Sequence, residues 1–490
     1  MDGAENASNS AATGIFSSSA LLVVARLFVQ IASALGTAVV ARSISVSAFG
    51  SLNAGLAAFY LASALCDWGF GLSLGKRLGQ GDSRDGAVVR STSRLQTVWS
   101  LFVTSVTVVY ALASGWHEPR MRILLIMSPA VAATGIGVYR QVLIANNKTR
   151  LIVVPGMMIN LTATLATVVL AVAGSGIAAL AGVVCVAAVL SSFMVYYFGR
   201  QQISSDPARG RLRRRVRREV VPLGLQSFLS SAYFTIDVVI LGYFVSGTQL
   251  GHYAAAVKIL NFVIFIPGII AQVSVIGFAR VHADELSTMD LQTRAWQWLS
   301  FAFLPGIAWL VLYAPVVVEV YFGHRFVSIT PVVRILLAAA PLIAISNTIF
   351  GAMIARSRQR WLVYQGLFCL ALNVSMNILL VPHFGIVASA WLTVITELAV
   401  TLGMTIDLSR HGIRPVYFLR AWRYYVAIAG GSLPPWFFWG SRSFIGLCAS
   451  AAFTLTLFLV MKLIPDEVLA LGARRSRGGR GSARRPTTRG

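Results

Sequence analysis

Apolar runs of about 20 residues recur along this whole chain, and each is long enough to cross roughly 30 Å of hydrocarbon as a helix. They fall at 15–41, 48–75, 96–115, 121–145, 150–174, 176–199, 221–246, 250–279, 296–317, 331–355, 361–381, 384–407, 422–440 and 443–464. Inside lipid every backbone polar group must be satisfied internally, which leaves helices and closed barrels. The runs lack the alternation of a barrel strand. The expected fold class is therefore all-α, a polytopic membrane protein of about 14 transmembrane helices. The narrowest division is at Pro382–Gly385, which parts 361–381 from 384–407.

Composition supports this and adds an orientation. Of 490 residues, 57% are hydrophobic and 12% charged, against about 25% charged in soluble proteins. Lys+Arg number 41 against 17 Asp+Glu, a net charge of +24. Alone, that balance points to nucleic acid, but a mean hydropathy of +0.74 leaves too little polar surface for a basic soluble protein. No nucleic-acid partner is expected. With the N-terminus in the cytoplasm, 33 basic residues fall in cytoplasmic loops and tail, six on the opposite side, and two, Arg26 and Lys258, inside spans. This is the positive-inside bias of a multi-pass membrane protein, with both termini expected in the cytoplasm. The first fourteen residues are polar and carry Asp2 and Glu5. They lack the positive start of a signal peptide, so the first span is expected to be retained.

Several chemistries are not expected. Cys66, Cys185, Cys369 and Cys448 lie within spans without CxxC spacing, and the six histidines form no ligand pattern. No metal and no cofactor are implied. GLSLGKR (71–77) falls short of a phosphate loop: three residues part its glycines, and Arg77 stands where Ser or Thr is needed. The longest non-spanning segments, near 200–219 and 465–490, are too short for a catalytic domain. An enzyme is not expected.

The arginine-rich stretch 200–218 divides spans 1–6 from spans 7–12, and the sequence weakly repeats across it. SVSAFGSLNAGLAAF, with Gly50, faces SGTQLGHYAAAVKIL, with Gly251. Six spans per half is even, so the repeat is parallel, one of the two symmetric plans of secondary transporters. The expected organisation is a polar N-terminus (1–14), a six-helix lobe (15–199), a basic linker (200–220), a second six-helix lobe (221–407), two further helices (422–464) and a basic cytoplasmic tail (465–490). The tail is too rich in Gly, Ser and Arg to fold.

Ionised groups at mid-membrane cost about 2.5–3.5 kcal/mol each on insertion scales, so they face a cavity or a partner. They are Arg26 and Asp67 in the first two spans, Asp237 and Lys258 in spans seven and eight, and Glu397 in span twelve. Each half leads with one cation and one anion. Either they line a polar seam, with Arg26 and Lys258 facing an anionic substrate, or they form two helix-locking salt bridges. Glu397 is a protonatable coupling site or a neutral structural acid. Arg140 joins the cavity or snorkels to headgroups. Pro155–Gly156, Pro267–Gly268 and Pro305–Gly306 interrupt spans and are hinge candidates, since proline removes a backbone donor and bends the helix.

Three stretches carry a resemblance: VVARSISVSAFGSLNAGLAAF (39–59), DWGFGLSLGKR (67–77) and YFTIDVVILGYFVSGTQLGHYAAAVKIL (233–260). They resemble the polysaccharide-transporter, or Wzx-like flippase, branch of the multidrug/oligosaccharidyl-lipid/polysaccharide (MOP) exporter superfamily, over roughly 15–410. The resemblance implies a V-shaped pair of six-helix lobes whose helices one, two, seven and eight line a central cavity. It would put Arg26, Asp67, Asp237 and Lys258 at its wall. It further implies movement of oligosaccharide on undecaprenyl diphosphate to the outer leaflet, for exopolysaccharide, capsule or O-antigen synthesis. The implied partners are the lipid-linked oligosaccharide, membrane lipids, and polysaccharide polymerase and glycosyltransferases. Two alternatives stand beside it: a multidrug cation antiporter, which would want acidic cavity residues, and a membrane-embedded polymerase or glycosyltransferase.

Overall fold

The computed structural model describes residues 27–80, 86–203, 235–269, 285–356, 358–412 and 417–464, with scattered positions between 220 and 233. Arg26, the polar N-terminus 1–14, most of the linker 200–220 and the tail 465–490 lie outside the described residues. Among those described, regular structure is helical and no strand occurs. The chain is an all-α, polytopic membrane protein. Each of the fourteen expected runs contains helix, which is consistent with that number.

The helices follow the apolar runs and break where local chemistry requires it. α1 (Leu27–Ser43) leads into α2 (Val46–Asp67). The Ser45 side chain caps α2 by accepting from the Ala48 amide, filling one of the donors a helix start leaves unpaired. Trp68 at φ 31° and Gly69 at φ 71° turn the chain into α3 (Phe70–Gln80), which holds the GLSLGKR stretch as helix. The second expected span thus ends at Asp67 rather than at residue 75. α4 (Gly86–Ala113) is followed by a broken span: α5 (Pro119–Ile126), α6 (Ser128–Ala133) and α7 (Tyr139–Ala145). α8 (Arg150–Val172) and α9 (Ile177–Arg200) are continuous. Then come α10 (Ile236–Phe244), α11 (Gly247–Val263), α12 (Glu285–Ala302), α13 (Leu304–Leu312), α14 (Ala314–Phe322) and α15 (Thr330–Ala355). α16 (Gln359–Arg410), the short α17 (Tyr417–Arg420), α18 (Trp422–Trp439) and α19 (Phe444–Val460) complete the order.

Proline places several of these breaks. Met127, Phe303 and Tyr313 each form a one-residue step, and the next helix carries its proline second: Pro129, Pro305 and Pro315. That is where a missing amide costs nothing. α11 ends at Val263, the residue whose carbonyl Pro267 cannot bond. Pro155 sits within unbroken α8 instead.

α16 counts 52 residues, about 78 Å at 1.5 Å per residue, more than twice a bilayer core. It is two helices joined at Gly385, whose φ of 61° and ψ of −147° are not helical. Only glycine occupies that region freely, and another residue there costs about 1–3 kcal/mol. Gly385→Ala should therefore lower the melting temperature of the purified protein. Gly366→Ala, in the helix with open space around it, should leave it unchanged or raise it. Equal melting of the two variants would contradict this reading of the turn.

The chain forms two compact units. The first comprises Met1–Lys258, Tyr321–Phe326 and Gly366–Leu392; the second comprises Ile259–Val320, Val327–Gln365 and Thr393–Gly490. In the first, Phe70, Leu74, Val89, Val138 and Val142 bury a core that joins α3, α4 and α7. In the second, Gly431 brings α18 against α19: a Cβ there would lie 2.5 Å from the Thr454 Cα. Small residues let membrane helices approach in this way, and hydroxyls then bond across them, here Ser450 to the Ser432 carbonyl at 3.2 Å. Also in the second unit, the Arg358 guanidinium donates twice to Asp407, at 3.1 and 2.5 Å. That fork holds the guanidinium above even its ordinary pKa.

Candidate functional site

Within the first unit, α1, α2, α8 and α9 surround a cavity of about 470 Å³, the size of a small-ligand site. Gly36 makes the arrangement possible, because a Cβ there would collide with the Thr164 methyl and push α1 off α8. On these four helices the wall is polar but neutral: hydroxyls and amides of Ser33, Thr37, Asn53, Tyr60, Asn160 and Thr164 stand among apolar neighbours. No carboxylate lines it among the described residues.

Lys258, from α11, is the one cation on that wall among the described residues. It makes no ion pair or hydrogen bond with any described residue. Lysine carries three donors and a compact charge.

The other charged residues singled out in the sequence lie elsewhere. Arg26 is outside the described residues. Asp67 does not line the cavity; it closes α2 at the start of α3, where the backbone amides of Gly69 and Gly71 bond its carboxylate. A helix start favours an anion. Gln96 Nε2 donates to the same carboxylate at 3.5 Å, and the exposed Arg140 guanidinium acts on it electrostatically. Asp237 does not meet Lys258. Its carboxylate accepts from the Tyr253 hydroxyl at 2.5 Å, and the Ser389 hydroxyl donates to the Tyr253 oxygen at 3.1 Å. This chain ties α10 to α11 and to the first half of α16. Glu397 lies in the second unit, buried and engaged by a neighbour. Tyr253 falls in the repeated stretch, yet neither its bond to Asp237 nor the uncharged part of the wall is marked by any charge in the sequence.

The two repeated glycines meet. A Cβ on Gly50 would stand 2.5 Å from the Gly247 carbonyl oxygen and the Gly251 amide, and one on Gly251 would overlap the Val46 carbonyl. The starts of α2 and α11 cross at backbone contact, each capped the same way. Ser45 accepts from Ala48 at 3.2 Å, and Ser246 from Gln249 at 3.3 Å. Beside the crossing, Phe49 packs edge-on against Phe322 and Phe326, with centroids 6.3 and 6.0 Å away.

The sequence profile of a family described as "Polysaccharide biosynthesis protein" matches residues 39–331. No curated protein matches the chain in sequence. Among solved structures, the fold is similar to that of a lipid II flippase, MurJ, in an inward closed conformation. The TM-score is 0.72 at 14% identity, covering 90% of this chain and 98% of that one. It is also similar to an inward-facing multidrug resistance transporter of the MATE family of the MOP superfamily. There the TM-score is 0.57 at 14% identity, over 78% of this chain and 94% of that one.

Proposed function

The chain belongs to the polysaccharide biosynthesis protein family, and on that premise we propose that it is a flippase of the MOP superfamily for lipid-linked oligosaccharide. It would carry repeat units on undecaprenyl diphosphate from the cytoplasmic to the outer leaflet of the inner membrane. The observation that carries the proposal is the cavity whose lining, among the described residues, holds Lys258 without a partner and no carboxylate. An anionic diphosphate finds a cation there, the sugar finds a hydrogen-bonding wall, and the lipid tail needs no protein cover. Among the described residues a cationic drug would find no counter-charge on this wall, which disfavours the multidrug reading. The positive-inside count supports cytoplasmic termini, and the repeated halves support alternating access between two six-helix lobes. Polymerase and glycosyltransferase partners belong to the same proposal.

Deleting the chain separates these readings. Cells without it should lose surface or secreted polysaccharide and accumulate lipid-linked repeat units facing the cytoplasm. Normal polysaccharide together with increased sensitivity to cationic drugs would overturn the proposal in favour of an antiporter.

A further inference from the structure

Hydroxyls inside a helix often bond the carbonyl three or four residues back, and on this cavity wall that habit sets the polarity of the surface. Thr37 donates to the Ser33 carbonyl at 2.8 Å. Thr164 donates to that of Asn160 at 2.8 Å, and Thr167 to that of Ala163 at 2.7 Å. A threonine has one hydroxyl proton, so all three now offer the cavity oxygen lone pairs alone. Asn160 on α8, and Asn53 on the adjoining α2, each commit one amide N–H to a backbone carbonyl, at 2.7 and 2.9 Å, and keep one N–H and the side-chain oxygen, with its two lone pairs, for the cavity. The α1–α8 face is thus rich in acceptors, and the cationic donor Lys258 stands apart on α11.

We infer that this face is a saccharide subsite that selects an uncharged, hydroxyl-rich sugar next to the diphosphate. The inference rests on reading the cavity as a diphosphate–sugar site, and adds which end of the substrate goes where. Sugar hydroxyls donate into the acceptors of Thr37 and Thr164. A phosphate, or the carboxylate of a uronate, offers acceptors only, meets like polarity there, and is turned toward Lys258 or refused. Specificity of this kind is built from pairing on one side and unpaired polar groups on the other.

Binding to the purified full-length protein tests it with three probes: farnesyl diphosphate, farnesyl diphosphoglucose and farnesyl diphosphoglucuronate. The glucose probe should bind about tenfold tighter than the bare diphosphate, and the glucuronate probe should show no such gain. The isosteric double variant Thr37→Val with Thr164→Val should abolish the advantage of the glucose probe over farnesyl diphosphate. Thr37→Ser with Thr164→Ser, which keeps the acceptors, should retain it. A glucose advantage that survives the valines, or a glucuronate probe that binds as tightly as glucose, overturns the subsite. Failure of the underlying reading looks different: Lys258→Ala would then bind all three probes as the native protein does.

Discussion

Replacing Lys258 with Ala is expected to lower transport of a diphosphate-linked sugar on the order of 100-fold, while Lys258→Arg keeps most of it. Hydrogen bonds to charged groups contribute about 1.5–3 kcal/mol, and the upper end applies where lipid and protein exclude water. Stability should move the other way. A lysine that locks helices through a salt bridge would, when truncated, leave a buried carboxylate unpaired and weaken the fold. Lys258 makes no such pair among the described residues. Its truncation removes a charge that costs about 2.5–3.5 kcal/mol at mid-membrane. Lys258→Ala should therefore melt at or above the native temperature while losing transport. Lower melting together with lost transport would return Lys258 to a structural role.

Gly251→Val is expected to abolish transport by a different route. The Gly251 position lies against the Val46 carbonyl, and Gly50 against the Gly247 carbonyl and Gly251 amide. Backbone cannot yield as a flexible side chain can, so a branched side chain forces the starts of α2 and α11 apart. Overpacking of this kind costs about 1–3 kcal/mol, occasionally more. In the proposed orientation this crossing faces outward, so the variant should leave the cavity open to the outside. Asn53→Cys, placed on the cavity wall in a background with all four native cysteines replaced, reports the state. A membrane-impermeant maleimide added outside should label it at least tenfold faster in Gly251→Val than with Gly251 intact. Labelling that stays slow alongside normal transport would show that the crossing is not a closure.

The parts of this molecule legible in its sequence are those written in hydropathy and in proline. Helical spans follow from apolar length, since nothing else satisfies a backbone in lipid. Of the proline interruptions read there, Pro305 follows a step at Phe303 and Pro267 follows the end of α11, whereas Pro155 sits in unbroken helix. Lys258 was visible because a charge inside an apolar run must have a reason. Its relation to Asp237 was not. Counting one cation and one anion per half suggests a salt bridge, whereas Asp237 is satisfied by Tyr253, whose hydroxyl gives a sequence reading no cue. Asp67 likewise answers to the amides at the start of α3 as well as to Arg140, because the helix break at Trp68–Gly69 creates donors that charge counting ignores. Gly50 and Gly251 were recognisable as repeats, yet their mutual contact depends on how α2 and α11 cross. The acceptor polarity of the wall is hidden for a related reason: it depends on where each hydroxyl sends its single proton.

The central claim is that Lys258 serves the diphosphate of a lipid-linked sugar, and flipping in proteoliposomes tests it most directly. Vesicles containing the native protein and fluorescent undecaprenyl diphosphate-linked oligosaccharide should expose inner-leaflet substrate to a membrane-impermeant quencher over time. Lys258→Arg should do so at a similar rate, and Lys258→Ala about 100-fold more slowly at equal reconstituted protein. Equal rates for all three proteins, or no flipping by the native protein above protein-free vesicles, would contradict the account.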